Sequence, residues 1–102
     1  MNVEKISDLV TALLQPMPDG FEWNWDVIAE IRSDGIARGC AVGLAAFLGI
    51  IPESVPEANV SDLQRHLGLD TTQAAHCFLK ASDGGDRPEV IATRLAAILA
   101  GA

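Results

Sequence analysis

Residues 35–51 read Gly-Ile-Ala-Arg-Gly-Cys-Ala-Val-Gly-Leu-Ala-Ala-Phe-Leu-Gly-Ile-Ile, and the reading of this stretch decides the fold. Arg38 is its one charged side chain; the rest is apolar or glycine. Gly35, Gly39 and Gly43 fall four apart, so on a helix they form a ridge bare of side chains. Such a ridge lets a second helix approach backbone to backbone. The spacing predicts a buried, Gly-rich central helix starting at Gly35 and stopped by Pro52. It also sets Cys40 near a helix start, where a thiol can become reactive.

Toward the N-terminus, Val3, Ile6, Leu9, Val10, Leu13 and Leu14 share one helical face between Asn2 and Gln15, with Asn2 as N-cap. Pro16-Met17-Pro18-Asp19-Gly20 ends that helix. Phe21, Trp23 and Trp25 then alternate, as in a short extended piece. Asn24 is read as the cap of a second helix carrying Trp25, Ile28 and Ile31, ending at Ser33-Asp34-Gly35.

Toward the C-terminus, Pro52 to Pro56 reads as a loop. Ser61-Asp62-Leu63-Gln64 has the form of a capping box for a short helix that Gly68 terminates. Asp70-Thr71-Thr72-Gln73 is a second box, opening a helix through Lys80. Asp86-Arg87-Pro88-Glu89 opens the last helix. The expected architecture is all-α: one domain, residues 1–102, a compact bundle of about five or six helices around the Gly-rich one.

Composition agrees with aliphatic helical packing, at 49% hydrophobic but only 5% aromatic residues. A mean hydropathy of +0.24 is high for so small a domain and raises the prospect of apolar surface covered by another copy. The formal charge is -7. Residues 1–34 hold seven acids against Lys5 and Arg32, whereas the remainder holds seven acids and five bases. Phosphate binding needs a basic face, so nucleic acid is a poor partner and a basic protein surface a better one. Glu4, Lys5 and Asp8 break any signal-peptide pattern, and Arg38 with the three glycines argues against a membrane span. A cytoplasmic protein is expected.

Candidate sites follow from the same residues. Trp23 and Trp25, beside Glu22, Asp26 and Glu30, read either as a lid on the bundle or as a partner-binding anchor with an acidic rim. Cys40 with His76, or with His66, is the alternative: a cysteine-dependent hydrolase or transferase. Phe21-Glu22-Trp23 followed by Cys40 echoes papain-like peptidases, but those supply the histidine from a later strand, and no strand signal follows Ile51. Residues 60–80 read as a helix-turn-helix, the mark of a regulator, yet Ser61 to Lys80 is electrically neutral. The last helix is apolar nearly all round, so Val90, Arg94, Leu95, Ile98 and Leu99 are expected to form a homodimer contact. His66, His76, Cys40 and Cys77 do not have zinc-ligand spacing, and no metal or cofactor is expected.

Gly39-Cys40-Ala41-Val42-Gly43-Leu44-Ala45, His66-Leu67-Gly68-Leu69-Asp70 with Gln73, Ala74 and Phe78, and Arg87-Pro88-Glu89-Val90-Ile91-Ala92 together resemble a set of small all-helical proteins of phages and bacteria. In these a Cys-x-x-Gly helix precedes a Leu-Gly-Leu helix pair and an alanine-rich last helix. Many carry a further cysteine five residues before the one matching Cys40, where this chain has Gly35. The resemblance implies an all-helical fold and a phage or mobile-element setting, and no activity. The leading expectation is a non-enzymatic modulator or inhibitor, for example an anti-defence protein, that binds a basic protein surface.

Overall fold

In the computed structural model, which describes residues 1–101, the Gly35–Ile51 stretch is a turn, a strand and a short helix rather than one helix. The elements are α1 (Val3–Leu14), β1 (Phe21–Trp23), β2 (Ala29–Ile31), β3 (Ala37–Gly39), α2 (Ala41–Phe47), α3 (Val60–Leu67), α4 (Thr71–Phe78), a 3-10 turn (Ser82–Gly84) and α5 (Pro88–Ala100). The strands form one mixed sheet in the order β1-β3-β2, with β1 parallel and β2 antiparallel to β3. The fold is therefore α+β, and the all-α bundle with a central Gly-rich helix is corrected.

The cause is local. Ser33-Asp34-Gly35, read above as a helix end, is the tip of a β-hairpin. The Gly35 N–H donates to Arg32 O at 2.9 Å and the Arg32 N–H to Ile36 O at 2.8 Å. Asp34 Oδ1 accepts from the Ile36 N–H at 3.1 Å. Gly35 supplies the left-handed φ of +87° that the turn requires. The residues flanking this turn alternate, which is the period of a strand rather than of a helix. Glu22, Arg38 and Glu30 lie side by side on one face, while Phe21, Trp23, Ala29, Ala37 and Gly39 alternate with them. The helix predicted from Asn24 to Ser33 is replaced by a turn and β2.

The glycines admit a backbone, but a strand's. A β-carbon on Gly39 would collide with the Ile28 carbonyl, and one on Gly43 would lie 3.0 Å from the same oxygen. The Gly43 N–H donates to Ile28 O at 3.1 Å, which docks α2 on the start of β2. Gly35 takes no part, since nothing lies within 4 Å of where its β-carbon would be. Ala41 to Ala45 are all buried, so α2 still threads the core.

Around this centre the helices close in. Ile6, Leu9 and Leu13 of α1 pack along Ile91 and Leu95 of α5. Asn2 caps α1 by accepting from the Lys5 N–H at 3.0 Å. The capping box of α3 is Asn59 with Asp62, two residues earlier than the sequence pattern suggested. Gly68, at φ +69°, ends α3, and Asp70 with Gln73 boxes the start of α4. Pro88 occupies the first turn of α5.

Two of the expected dimer-contact residues are engaged within the protomer. Leu95 is fully buried, and the Arg94 guanidinium donates to the carbonyls of His76, Lys80 and Ser82 at 3.2, 2.6 and 2.7 Å. Val90, Ile98 and Leu99 are half-buried. The solvated stripe of α5 is Glu89, Thr93, Ala96, Ala97 and Ala100, mostly alanine that a hydropathy count scores as apolar. No helix among the described residues is long and apolar enough to cross a membrane.

Candidate interaction face on the three-stranded sheet

Asn24 builds the centre of this face. Its N–H donates to Gly39 O at 2.9 Å, and its own carbonyl accepts from the Val27 N–H at 3.2 Å, closing a four-residue turn. Its side-chain oxygen accepts from the Asp26 N–H at 3.0 Å, which fixes the turn from within. Trp25 and Asp26 are thereby held at the turn's tip, with Trp25 half-buried and Asp26 exposed. Trp23, the last residue of β1, is also half-buried. Its indole N–H donates to the Asp86 carbonyl at 3.1 Å, tying the sheet to the loop that precedes α5.

The charged row beside the tryptophans is already organised. Arg32 reaches Glu22 at 2.7 Å and Asp34 at 2.8 Å, and Arg38 pairs with Glu30 across the β2–β3 ladder. All five groups are partly exposed, so these pairs orient side chains more than they stabilise the fold. Asp19, Asp26 and Asp86 are exposed and form no ion pair among the described residues. The five expected binding residues, Glu22, Trp23, Trp25, Asp26 and Glu30, thus lie on or next to one small sheet. Asp86 joins them through Trp23, a link across 63 residues for which the sequence holds no local signal.

The alternative site is not assembled in the same way. Cys40 is the N-cap of α2 and only 5% exposed, its thiol lying 3.7 Å from Ile28 O. Burial pushes its pKa up, partly offset by the backbone N–H groups of Val42 and Gly43. His76 is exposed on α4, and His66 Nε2 faces both oxygens of Glu53, at 3.0 and 3.2 Å. Neither histidine hydrogen-bonds Cys40 among the described residues, so the pair lacks the contact a nucleophile and its base require.

Arg65 bridges Glu53 and Asp62, 3.3 Å from each. Beside it a shallow groove of about 550 Å³ is lined by Ser61, Gln64, Arg65, Gly68 and Leu69 at the α3–α4 turn. The helix-turn-helix outline is present there, but with one arginine in the groove it lacks the run of cations that phosphate contacts need. Among the described residues no group of three or more His, Cys, Asp or Glu is placed to hold a metal ion. Compared with protein-family models, curated proteins and solved structures, the chain matches none.

Proposed function

We propose that this chain is a non-enzymatic interaction module that docks on a basic protein surface through Trp23, Trp25, Asp26, Glu22 and Glu30. The observation that carries the reading is the tip of the Asn24–Val27 turn. It holds a half-buried indole and an exposed carboxylate at successive positions, on a turn closed by the Asn24 carbonyl and braced by the Asn24 side chain. Tryptophan contributes large contact area with few rotatable bonds, and a fixed turn lowers the ordering cost of association. Lysine or arginine from the partner can stack on the indole and pair with Asp26, an arrangement favoured when water is excluded.

Charge supports the same face. Between Asp19 and Arg38 the chain has five acids against two arginines. A field of that sign speeds encounter with a basic partner and weakens with added salt. Burial of Cys40 and its raised pKa argue against the hydrolase or transferase alternative. The phage and mobile-element resemblance suits a modulator that acts by occupying a host protein.

The test compares immobilised wild-type protein with the double variant W25A/D26K in capture from a bacterial lysate at low and high ionic strength. Proteins held by the wild type at low salt should be released by salt and missing from the variant. An identical captured set on both, indifferent to salt, overturns the reading.

A further inference from the structure

The sheet has two edges, and they differ. On β1 the Phe21 N–H is taken by Pro18 O at 3.1 Å, and the Trp23 side chain is tied to the Asp86 carbonyl. On β2 the Arg32-to-Ile36 hydrogen bond and the Ala29–Gly39, Glu30–Arg38 and Ile31–Ala37 register place the groups bonded to β3 on even-numbered residues. The N–H and C=O groups of Ala29 and Ile31 therefore point away from β3. They meet no backbone partner from loops or helices among the described residues. Ile28 and Ile31, at either end of this edge, are each 48% exposed. Natural sheets commonly guard such an edge with lysine, proline or a covering segment. Residues 28–31, Ile-Ala-Glu-Ile, contain neither lysine nor proline.

We propose that β2 accepts an extended segment of the partner as a fourth strand, with basic and apolar residues alternating along it. This rests on the basic-partner reading above and specifies how that partner is held. Backbone groups of Ala29 and Ile31 supply the ladder, as in recognition by strand addition. Basic side chains of the added strand fall on the face of Glu22, Arg38 and Glu30, and Asp34 lies at the adjoining hairpin tip. Its apolar side chains fall beside Ile31, whose exposed surface they cover. A second copy of this chain is the poorer occupant. Pairing Ala29 with Ile31 of a two-fold mate sets Glu30 against Glu30, and like charges directly opposite are destabilising. The formal charge of -7 on each copy opposes that contact further.

The probe is a capped six-residue peptide of alternating lysine and valine. Its control has the same sequence with alternate backbone nitrogens methylated, which keeps charge and apolar area but blocks one edge of the strand. Binding is read by amide NMR with hydrogen exchange on the full chain. The unmodified peptide should slow exchange at Ala29 and Ile31, and the methylated one should bind about tenfold more weakly, as expected from losing two backbone hydrogen bonds. Ile31→Pro deletes an outward N–H that β3 does not use, and should weaken the unmodified peptide by a similar factor while Trp fluorescence reports an intact fold. Should that variant misfold, Ile31→Lys keeps the ladder and repels the probe.

Equal binding of both peptides, with shifts at Trp25 and Asp26 but none at Ala29 and Ile31, overturns strand addition and leaves the acidic face standing. No binding of either peptide also overturns it, and the lysate comparison then judges the basic-partner reading by itself. Protection of Ala29 and Ile31 that grows with protein concentration alone shows a second copy on the edge and overturns the proposal.

Discussion

The Ile28 carbonyl occupies the space where a side chain on Gly39 would begin. That oxygen is held in place, because it accepts from the Gly43 N–H at 3.1 Å while the neighbouring Val27 carbonyl accepts from the Cys40 N–H at 2.9 Å. Gly39→Ala should therefore cost about 3 kcal/mol, the upper end of ordinary overpacking. Gly35→Ala, at positive φ but in open space, should cost only about 1 kcal/mol. Urea unfolding of the two variants checks this. A helical glycine ridge would instead make Gly39 and Gly43 costly with Gly35 as their equal.

Arg94 meets three carbonyls at the end of α4 and in the turn after it. Arg94→Met keeps the stem but strands those oxygens, and should lower stability by about 2 kcal/mol. Arg94→Lys should recover only part of the loss, because an ammonium lacks the planar fork. Thermal melts of both variants decide it. A neutral Arg94→Met would show the guanidinium to be incidental.

Trp23 and Trp25 should separate on conservative replacement. Trp23→Phe loses the bond to the Asp86 carbonyl and should cost about 1 kcal/mol. Trp25→Phe should be nearly silent in stability yet weaken partner capture. Denaturant midpoints alongside capture assays read both effects, and equal loss of stability in the two would contradict the assignment.

Burial raises the Cys77 pKa from 9.0 to about 11. Below pH 9.0 the thiol is protonated both folded and unfolded, so its contribution to stability is complete. Between pH 9.0 and about 11 the unfolded chain loses the proton first, and stability falls as pH rises. The slope approaches about 1.4 kcal/mol per pH unit from this thiol. Cys77→Ala should flatten that part of the profile in urea melts recorded across the range. An unchanged slope would place the alkaline loss elsewhere.

The ends of the chain were legible because their signals are local. Asn2, Gly68, the Asp70–Gln73 box and Pro88 each act within one helical turn, and each stands where its pattern placed it. The middle was not, because two periods overlap there. Gly35, Gly39 and Gly43 fit a helix face, while Ile28 to Gly39 fits a hairpin about Ser33-Asp34-Gly35. Strands of three residues are too short for alternation to outweigh a 17-residue apolar run. Glu22 and Glu30 were found as acidic positions, but their pairing with Arg32 and Arg38 depends on strand register. Asp86 and Arg94 act across the fold and left no trace in local sequence.

The mixed sheet between Phe21 and Gly39 underlies both the proposed binding face and the open edge, and one NOESY spectrum tests it most directly. Ala29–Gly39 and Ile31–Ala37 are the pairs of the β2–β3 ladder whose α-carbons approach most closely. Strong cross-strand Hα–Hα signals between the members of each pair are predicted. A run of sequential amide–amide signals through residues 25–33 and 35–40, with those cross-strand signals missing, would restore the helices and contradict the account.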